Sequence, residues 1–135
     1  AKACRKELRK IRETIGTVTE EPGVFFRIPG GEYNNEVLRT IYACGSYPVA
    51  WSVDSMDWKE YEASELVRQL LQSCTIRDGE ILRFHGEGEN TGEMVKLLHP
   101  RLKEEGYEAV TVSQMVYKDR YRMTTDGRQI PEKSK

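Results

Sequence analysis

The stretch PVAWSVDSMDWKEYEASELVRQLLQSCTIRDGEILRFH, residues 48–85, decides the fold. It begins with an apolar, strand-like run at 48–53 and closes with a second run at 80–84, after which His85 follows. Between the two runs, apolar side chains recur at helical spacing at Leu66, Val67, Leu70, Leu71 and Cys74. A strand, an amphipathic helix and a second strand at this spacing predict a β-α-β unit with parallel strands.

The same alternation continues on both sides of this unit. Residues 1–15 place apolar side chains on one face of a charged helix. The other predicted elements are a strand over 24–28, a helix from Asn34 or Asn35 to Gly45, a helix from a capping box at Asn90 and Glu93 to Glu105, and a strand from Glu108 to Val112. About four parallel strands alternating with helices predict an α/β fold, either an open sheet or part of a (β/α) barrel. We expect this domain to cover residues 1–117 and a polar tail with a turn at Asp126-Gly127 to cover residues 118–135.

Composition narrows the classes of function. The 135 residues suit one domain with a real core. Lys and Arg total 21 against 22 Asp and Glu, and the formal charge of −1 gives no general attraction for nucleic acid or anionic lipid. No apolar run approaches the roughly 20 residues that a membrane span needs. The chain starts without Met and without the apolar segment of a signal peptide, so we expect it to be part of a longer protein.

Polar side chains follow the predicted strands at the ends where parallel α/β proteins place functional groups. Arg27 follows the first strand, Asp54 and Asp57 follow the second, and His85 follows the third. An Arg, two carboxylates and a His at one rim suit acid-base hydrolysis. We therefore expect Arg27, His85 and the carboxylates Asp54 and Asp57, Asp57 above all, to line a common pocket mouth.

Simpler interpretations of these residues stay open. Arg27 could be a surface charge at a strand end, and His85 could be a hydrogen-bonded structural residue. Asp54 and Asp57 could cap the turn before the next helix. They could also form a glycosidase pair, which needs carboxyl groups about 5 Å apart for retention or about 6.5–9.5 Å apart for inversion. Trp58 lies in a polar loop, where an exposed aromatic ring calls for a functional explanation.

Three segments at these strand ends resemble motifs of the NodB-type polysaccharide deacetylases, carbohydrate esterase family four. FFRIPGGEYN at 25–34 resembles the third family motif, and VDSMDWK at 53–59 resembles the fourth, DxxDW. EILRFHG at 80–86, followed by GYEAV and TVSQM, resembles the fifth motif and the closing strand and helix of the family. The resemblance covers residues 1–117 and implies the C-terminal half of a domain similar to peptidoglycan and chitooligosaccharide deacetylases.

The resemblance implies a role for each matched residue. His85 would be the general acid that protonates the leaving amine, and Asp57 would hydrogen-bond His85 and favour its protonated form. Arg27 would orient the catalytic base. Trp58 would form a wall of the sugar groove, and a backbone N–H near Gly30 would stabilise the oxyanion.

Pro29 and Arg83 complete the implied substrate-binding set, with two departures from the family pattern. The family usually has an aromatic residue where Gly30 stands. It usually has an apolar residue, commonly Leu, where Arg83 stands. A charged side chain at this place could alter or fill the pocket for the acetyl methyl group.

The first and second family motifs, which supply the base and the metal ligands, have no counterpart before Arg27. The resemblance implies a divalent metal, with zinc favoured, in the complete domain, and we expect no metal bound by this chain alone. It also implies an extracellular or cell-surface protein that removes N-acetyl groups from a cell-wall or chitin-like polysaccharide. We expect pairing with the missing N-terminal half or with a second copy. The alternative is a non-catalytic carbohydrate-binding or regulatory module derived from such an enzyme.

Overall fold

A computed structural model of the chain describes residues 2–19, 23–86 and 88–132, which divide into the units Ala1–Ser52 and Val53–Lys135. The first unit contains α1 (Lys2–Thr19), β1 (Phe25–Arg27), a 3₁₀ turn (Pro29–Gly31), α2 (Asn35–Ala43) and β2 (Tyr47–Val49). The second contains β3 (Val53–Asp54), α3 (Ala63–Ser73), β4 (Leu82–Arg83), α4 (Thr91–Glu104), α5 (Val112–Met115), β5 (Tyr121–Met123) and β6 (Gln129–Pro131). The predicted α/β class is confirmed.

In the first unit, β1 and β2 pair in parallel, and Arg27 lies opposite Val49 at the end of their register. Pro29 has no N–H and fixes its own backbone, so the ladder stops there. The side chain of Asn34 accepts a hydrogen bond from the N–H of Val37 at 2.9 Å. Of the two predicted alternatives, this bond identifies Asn34 as the N-cap residue of α2.

Helix α1 extends past its predicted end at residue 15 and reaches Thr19. Of the predicted apolar face only Leu8 is fully buried, whereas Ile11 and Ile15 are 40% and 38% exposed. None of the helices in the described ranges is long and apolar enough to cross a membrane.

The prediction of one continuous strand over 48–53 is wrong. β2 ends at Val49 and β3 begins at Val53, and each pairs with a different strand. Trp51 lies between these two strands. Its ring is so close to Gly31 that a Cβ added at position 31 would lie only 2.9 Å from a ring carbon of Trp51. Among the described residues, the parallel strands therefore form two pairs, β1 with β2 and β3 with β4.

The core of the second unit lies where helices α3 and α4 pack together beside strand β3. The predicted apolar stripe of α3 is confirmed, since Leu66, Val67 and Leu70 are at most 5% exposed. From α4, Met94 and Leu98 are buried against them. Burying a side chain of this size contributes about 1.5–3 kcal/mol, so this helix pair holds the neighbouring strand ends in place.

Two predictions in the second unit are wrong. Asn90 has helical backbone angles, φ −88° and ψ −12°, and its side chain donates to the carbonyl oxygen of Tyr61 at 2.7 Å. Asn90 and Glu93 therefore form no capping box. Residues 108–112 form no strand because no strand in the described part of the chain pairs with them, and Val112 already belongs to α5.

The segment 118–135 contains an antiparallel hairpin, β5 with β6, in its described residues. Its turn at Asp126-Gly127 is confirmed, and Gly127 has a φ of 85° there. The guanidinium of Arg128 lies 3.1 Å from the carboxylate of Glu80, so the hairpin is attached to the segment that enters β4. Residues 133–135 of the predicted tail lie outside the described residues, and the domain boundary at 117 stays a prediction.

Candidate active site

The parallel register of β3 and β4 brings three polar side chains to one side of this strand pair. Asp54 lies opposite Arg83, and His85 follows Arg83 by two residues. Side chains two residues apart in an extended chain point to the same side. The N–H of Ser55 donates to the carbonyl oxygen of Arg83 at 3.0 Å, which extends the pairing beyond β3. Asp54, Arg83 and His85 therefore meet at the C-terminal end of the pair.

Asp57 is a buried carboxylate that several donors surround; it is 1% exposed. Its Oδ1 lies 2.6 Å from Nδ1 of His85, and the backbone N–H of His85 donates to its two oxygens at 3.0 and 3.1 Å. The hydroxyl of Ser55 donates to Oδ1 at 3.0 Å, and the hydroxyl of Thr91 donates to Oδ2. Asp57 thus connects the loop after β3, the chain after β4 and the start of α4.

The contact between residues 57 and 85 that the resemblance implies is present. An ionised carboxylate can only accept hydrogen bonds, so Nδ1 of His85 carries a proton. Nε2 is then the nitrogen left for chemistry, and the His85 side chain is 20% exposed. A carboxylate that holds one imidazole nitrogen in this way fixes the ring orientation and stabilises the imidazolium.

Opposing effects act on the pKa of Asp57. Burial raises it, because the charged form loses contact with water. Hydrogen bonds from Thr91, from the side chain and backbone of His85 and from Ser55 lower it, and together they outweigh burial. The pKa of Asp57 therefore lies well below its ordinary value, and the carboxylate is ionised at neutral pH.

We expect the second unit to lose stability as the pH falls below about 4. In the unfolded chain Asp57 titrates near its ordinary pKa of about 3.9. In the folded chain its pKa is lower, so the unfolded state binds the proton first and the stability present above that pH is lost on acidification. Urea unfolding followed by circular dichroism between about pH 7 and about pH 3 measures this effect. Asp57→Asn should flatten the dependence; an unchanged acid slope in that variant would contradict the assignment.

Trp58 and Lys59 form an exposed rim beside His85. The Trp58 ring meets the imidazole edge-on, with centroids 6.4 Å apart and planes at 78°, and it is 56% exposed. The Nζ of Lys59 lies 5.9 Å from the centroid of the Trp58 ring. Met56 adopts a φ of 55° and accepts the N–H of Lys59 at 3.0 Å, which closes the turn that presents Trp58. An exposed indole offers a sugar ring a flat apolar surface with a polar edge.

Three predicted site residues, Arg27, Pro29 and Gly30, belong to the first unit. Arg27 ends β1 and is exposed, and Pro29 opens the 3₁₀ turn. Gly30 and Gly31 have φ of 71° and 78°, a region that residues with a Cβ rarely adopt, so this turn depends on both glycines. The pocket mouth predicted to join Arg27 with residues of the second unit stays a prediction.

One interpretation left open for Asp54 was that it caps the turn before the next helix, and the structure shows this hydrogen bond together with two further contacts. Its Oδ1 accepts the N–H of Met56 at 3.0 Å. Its Oδ2 lies 3.6 Å from Nη1 of Arg83 and 3.8 Å from Nε2 of His85. The glycosidase alternative is not supported, because Asp57 is buried among its donors and has no free oxygen to present to a sugar.

Sequence reasoning missed three residues that shape this site: Ser55, Gly88 and Thr91. Ser55 stands two residues before Asp57, a spacing at which a hydroxyl commonly bonds a neighbouring group, so the pattern could have indicated it. Gly88 lies against the carbonyl oxygen of Asp57, where a Cβ would collide. Thr91 is distant from Asp57 in the sequence, and only the folded chain shows their contact.

Metal-ligating side chains are not clustered in the described ranges 2–19, 23–86 and 88–132. No group of three or more His, Cys, Asp or Glu there could hold a metal ion. Residues able to bind the divalent metal implied by the resemblance are thus not found in this part of the chain.

Comparison with known proteins finds deacetylases. A peptidoglycan-N-acetylglucosamine deacetylase from Bacillus cereus is 32% identical over 102 residues, which cover 72% of this chain and 46% of that protein. A chitooligosaccharide deacetylase from Azorhizobium caulinodans is 33% identical over 60 residues, 44% of this chain and 28% of that protein. The structure of a carbohydrate esterase family four pseudoenzyme from Bacillus anthracis matches with a TM-score of 0.75 and 26% identity, covering 83% of this chain and 39% of that one. No family model matches the chain.

By sequence and by fold, the chain is similar to proteins of the carbohydrate esterase class. Within that class, the predicted resemblance is confirmed: the chain is similar to part of the NodB-type polysaccharide deacetylases of carbohydrate esterase family four. It spans less than half the length of the relatives described above. The structural likeness also supports the predicted partial (β/α) barrel.

Proposed function

We propose that this chain supplies the general-acid side of a polysaccharide N-deacetylase that acts on a cell-wall or chitin-like polymer. The observation that carries the proposal is the 2.6 Å contact between Asp57 and Nδ1 of His85, which leaves Nε2 as the reactive nitrogen. The relatives named above support the substrate class, since their names refer to peptidoglycan and chitooligosaccharide.

His85 acts in its protonated form in this proposal. The N–H at Nε2 gives its proton to the amine that leaves when the amide C–N bond breaks. Asp57 remains ionised throughout, because its hydrogen bonds keep its pKa low, and its charge stabilises the imidazolium before transfer. After transfer, Nδ1 keeps its proton and its bond to Asp57.

The remaining site residues bind and orient in this proposal. Trp58 forms a wall against the sugar ring, for which its exposed face is suited. Arg27 orients the base carboxylate, Pro29 and Gly30 form the turn whose backbone N–H binds the oxyanion, and Arg83 lies at the acyl end of the substrate.

The base and the metal site belong, in this proposal, to the length of the relatives that the chain does not span. A divalent metal, with zinc favoured, supplies an activated water when bound. The residues described here contain no ligand cluster for it, so the chain alone should not turn over. We further propose a cell-surface location and pairing with the missing half or with a second copy.

A second candidate is a non-catalytic carbohydrate-binding or regulatory module. The structural likeness to the Bacillus anthracis protein favours this second candidate, because that protein is described as a pseudoenzyme of carbohydrate esterase family four. The native mass of the parent protein separates the two: a short natural product favours the module, and a longer one favours the deacetylase.

Acetate release from an acetylated glucosamine oligomer, with added zinc, tests the proposed function. We compare this chain alone with the same chain joined to the upstream half of the Bacillus cereus relative. The joined protein should release acetate and the chain alone should not exceed the protein-free rate. Activity of the chain alone that disappears in His85→Ala would contradict its proposed incompleteness. Oligomer binding without acetate release by the joined protein would favour the binding module.

A further inference from the structure

A second carboxylate faces His85 on the side away from Asp57. Oδ2 of Asp54 lies 3.8 Å from Nε2 of His85, whereas Asp57 holds Nδ1. Oδ1 of Asp54 accepts the N–H of Met56, and this bond restrains the carboxylate. The side chains of Asp54 and His85 are 22% and 20% exposed, so water screens their interaction only in part.

Arg83 competes with His85 for the same oxygen of Asp54. Its Nη1 lies 3.6 Å from Oδ2, and the register of β3 and β4 keeps Asp54 and Arg83 opposite each other. The guanidinium is always charged, whereas the imidazole is charged only when protonated. Asp54 is therefore shared between a permanent cation and one that appears and disappears with proton transfer.

We propose that Asp54 is a positioning residue for His85, attracting its outer nitrogen electrostatically across 3.8 Å, and that Arg83 limits this attraction by sharing Asp54. The proposal rests on the proposed function only for the general-acid role of His85. With its charge undivided, Asp54 would retain the proton at Nε2 and hinder its transfer to an amine. Shared with Arg83, Asp54 attracts the N–H at Nε2 and still lets the proton leave.

Two carboxylates contact the imidazole within the described residues of the second unit, Asp57 at Nδ1 and Asp54 at Nε2. Arg83 in turn contacts Asp54. Trp58 meets the ring by its edge and carries no charge. Changing the charge of Asp54 or Arg83 should therefore change the protonation of His85 in opposite directions.

Nitrogen-15 NMR of the histidine rings, recorded on the whole chain across a pH series, tests this proposal. The chain has two His, and His99 on the exposed face of α4 serves as an internal reference. Asp54→Asn and Arg83→Leu should move the pH at which the His85 ring signals change in opposite directions, because one removes a facing negative charge and the other a positive charge. Arg83→Lys keeps the positive charge and should behave like the unaltered chain.

The combined variant separates an effect through Asp54 from a direct effect of the guanidinium. In the Asp54→Asn background, Arg83→Leu should shift the His85 midpoint by less than half of its shift alone. Asp78→Asn, an exposed carboxylate in the turn before β4, is the matched control and should leave it unchanged. Equal Arg83→Leu shifts in both backgrounds, or no shift in Asp54→Asn, would overturn the proposal. The NMR measurement needs no turnover, so it tests the role of Asp54 independently of the acetate-release assay that tests the proposed function.

Discussion

In a deacetylase domain completed around this chain, His85→Ala is expected to lower turnover of an acetylated glucosamine oligomer by about 10²–10⁴-fold, the usual contribution of a positioned general acid. The physical reason is that an amide nitrogen leaves poorly unless it is protonated as the C–N bond breaks. Binding of the oligomer should change little, because the exposed Trp58 ring proposed to contact the sugar remains. The rate of acetate release and the Kd for the oligomer, measured on the same preparations, check both parts.

His99→Ala is the matched control for this prediction. His99 lies exposed on α4, and among the described residues no hydrogen bond or ion pair joins it to Asp54, Asp57 or His85. The His99→Ala variant should keep the full rate of acetate release. In the unaltered domain this rate should fall at high pH, and in His85→Ala this fall should be absent. A loss of less than about tenfold in His85→Ala would remove His85 from the proton-transfer step.

Asp57→Ala is expected to lower the free energy of unfolding of the second unit by about 2–4 kcal/mol, because it leaves several buried donors without an acceptor. Those donors are the backbone N–H and Nδ1 of His85 and the hydroxyls of Ser55 and Thr91. Urea unfolding at neutral pH, followed by circular dichroism, measures the loss.

Asp78→Ala is the matched control, since Asp78 is an exposed carboxylate in the turn before β4. It should change the free energy of unfolding by no more than about 0.5 kcal/mol, the usual range for exposed positions. If both variants unfold at the same urea concentration as the unaltered chain, Asp57 does not organise the unit.

The sequence allowed prediction of those elements whose local pattern agrees with their packing. The stripe of Leu66, Val67 and Leu70 is buried as its spacing indicates, and Asn34 caps its helix as its residue type indicates. The fourth strand at 108–112 could not be judged in this way, because a strand exists only if another strand pairs with it. The break after Val49 likewise depends on which partner strand ends first, which no short window of sequence contains.

The candidate site was predictable where a motif and a strand end coincide. Asp57, Trp58 and His85 were identified from their positions after apolar runs, and the contact between Asp57 and His85 is present. The role of Thr91 could not be predicted from the sequence, because Thr91 contacts Asp57 only through the packing of α4 on the rest of the unit. The contact of Asp54 with Nε2 follows from strand register, which the sequence left open.

The carboxylate of Asp57 also restrains the motion of the His85 ring. The Asp57 side chain binds the segment after β3, the segment after β4 and the first residue of α4, so these three segments are expected to open together. Loops usually fluctuate on their own, at little cost in free energy. Here the imidazole of His85 lies on a loop, but its bonds to Asp57 connect it to the helical core, so changes that loosen this core should also displace the ring.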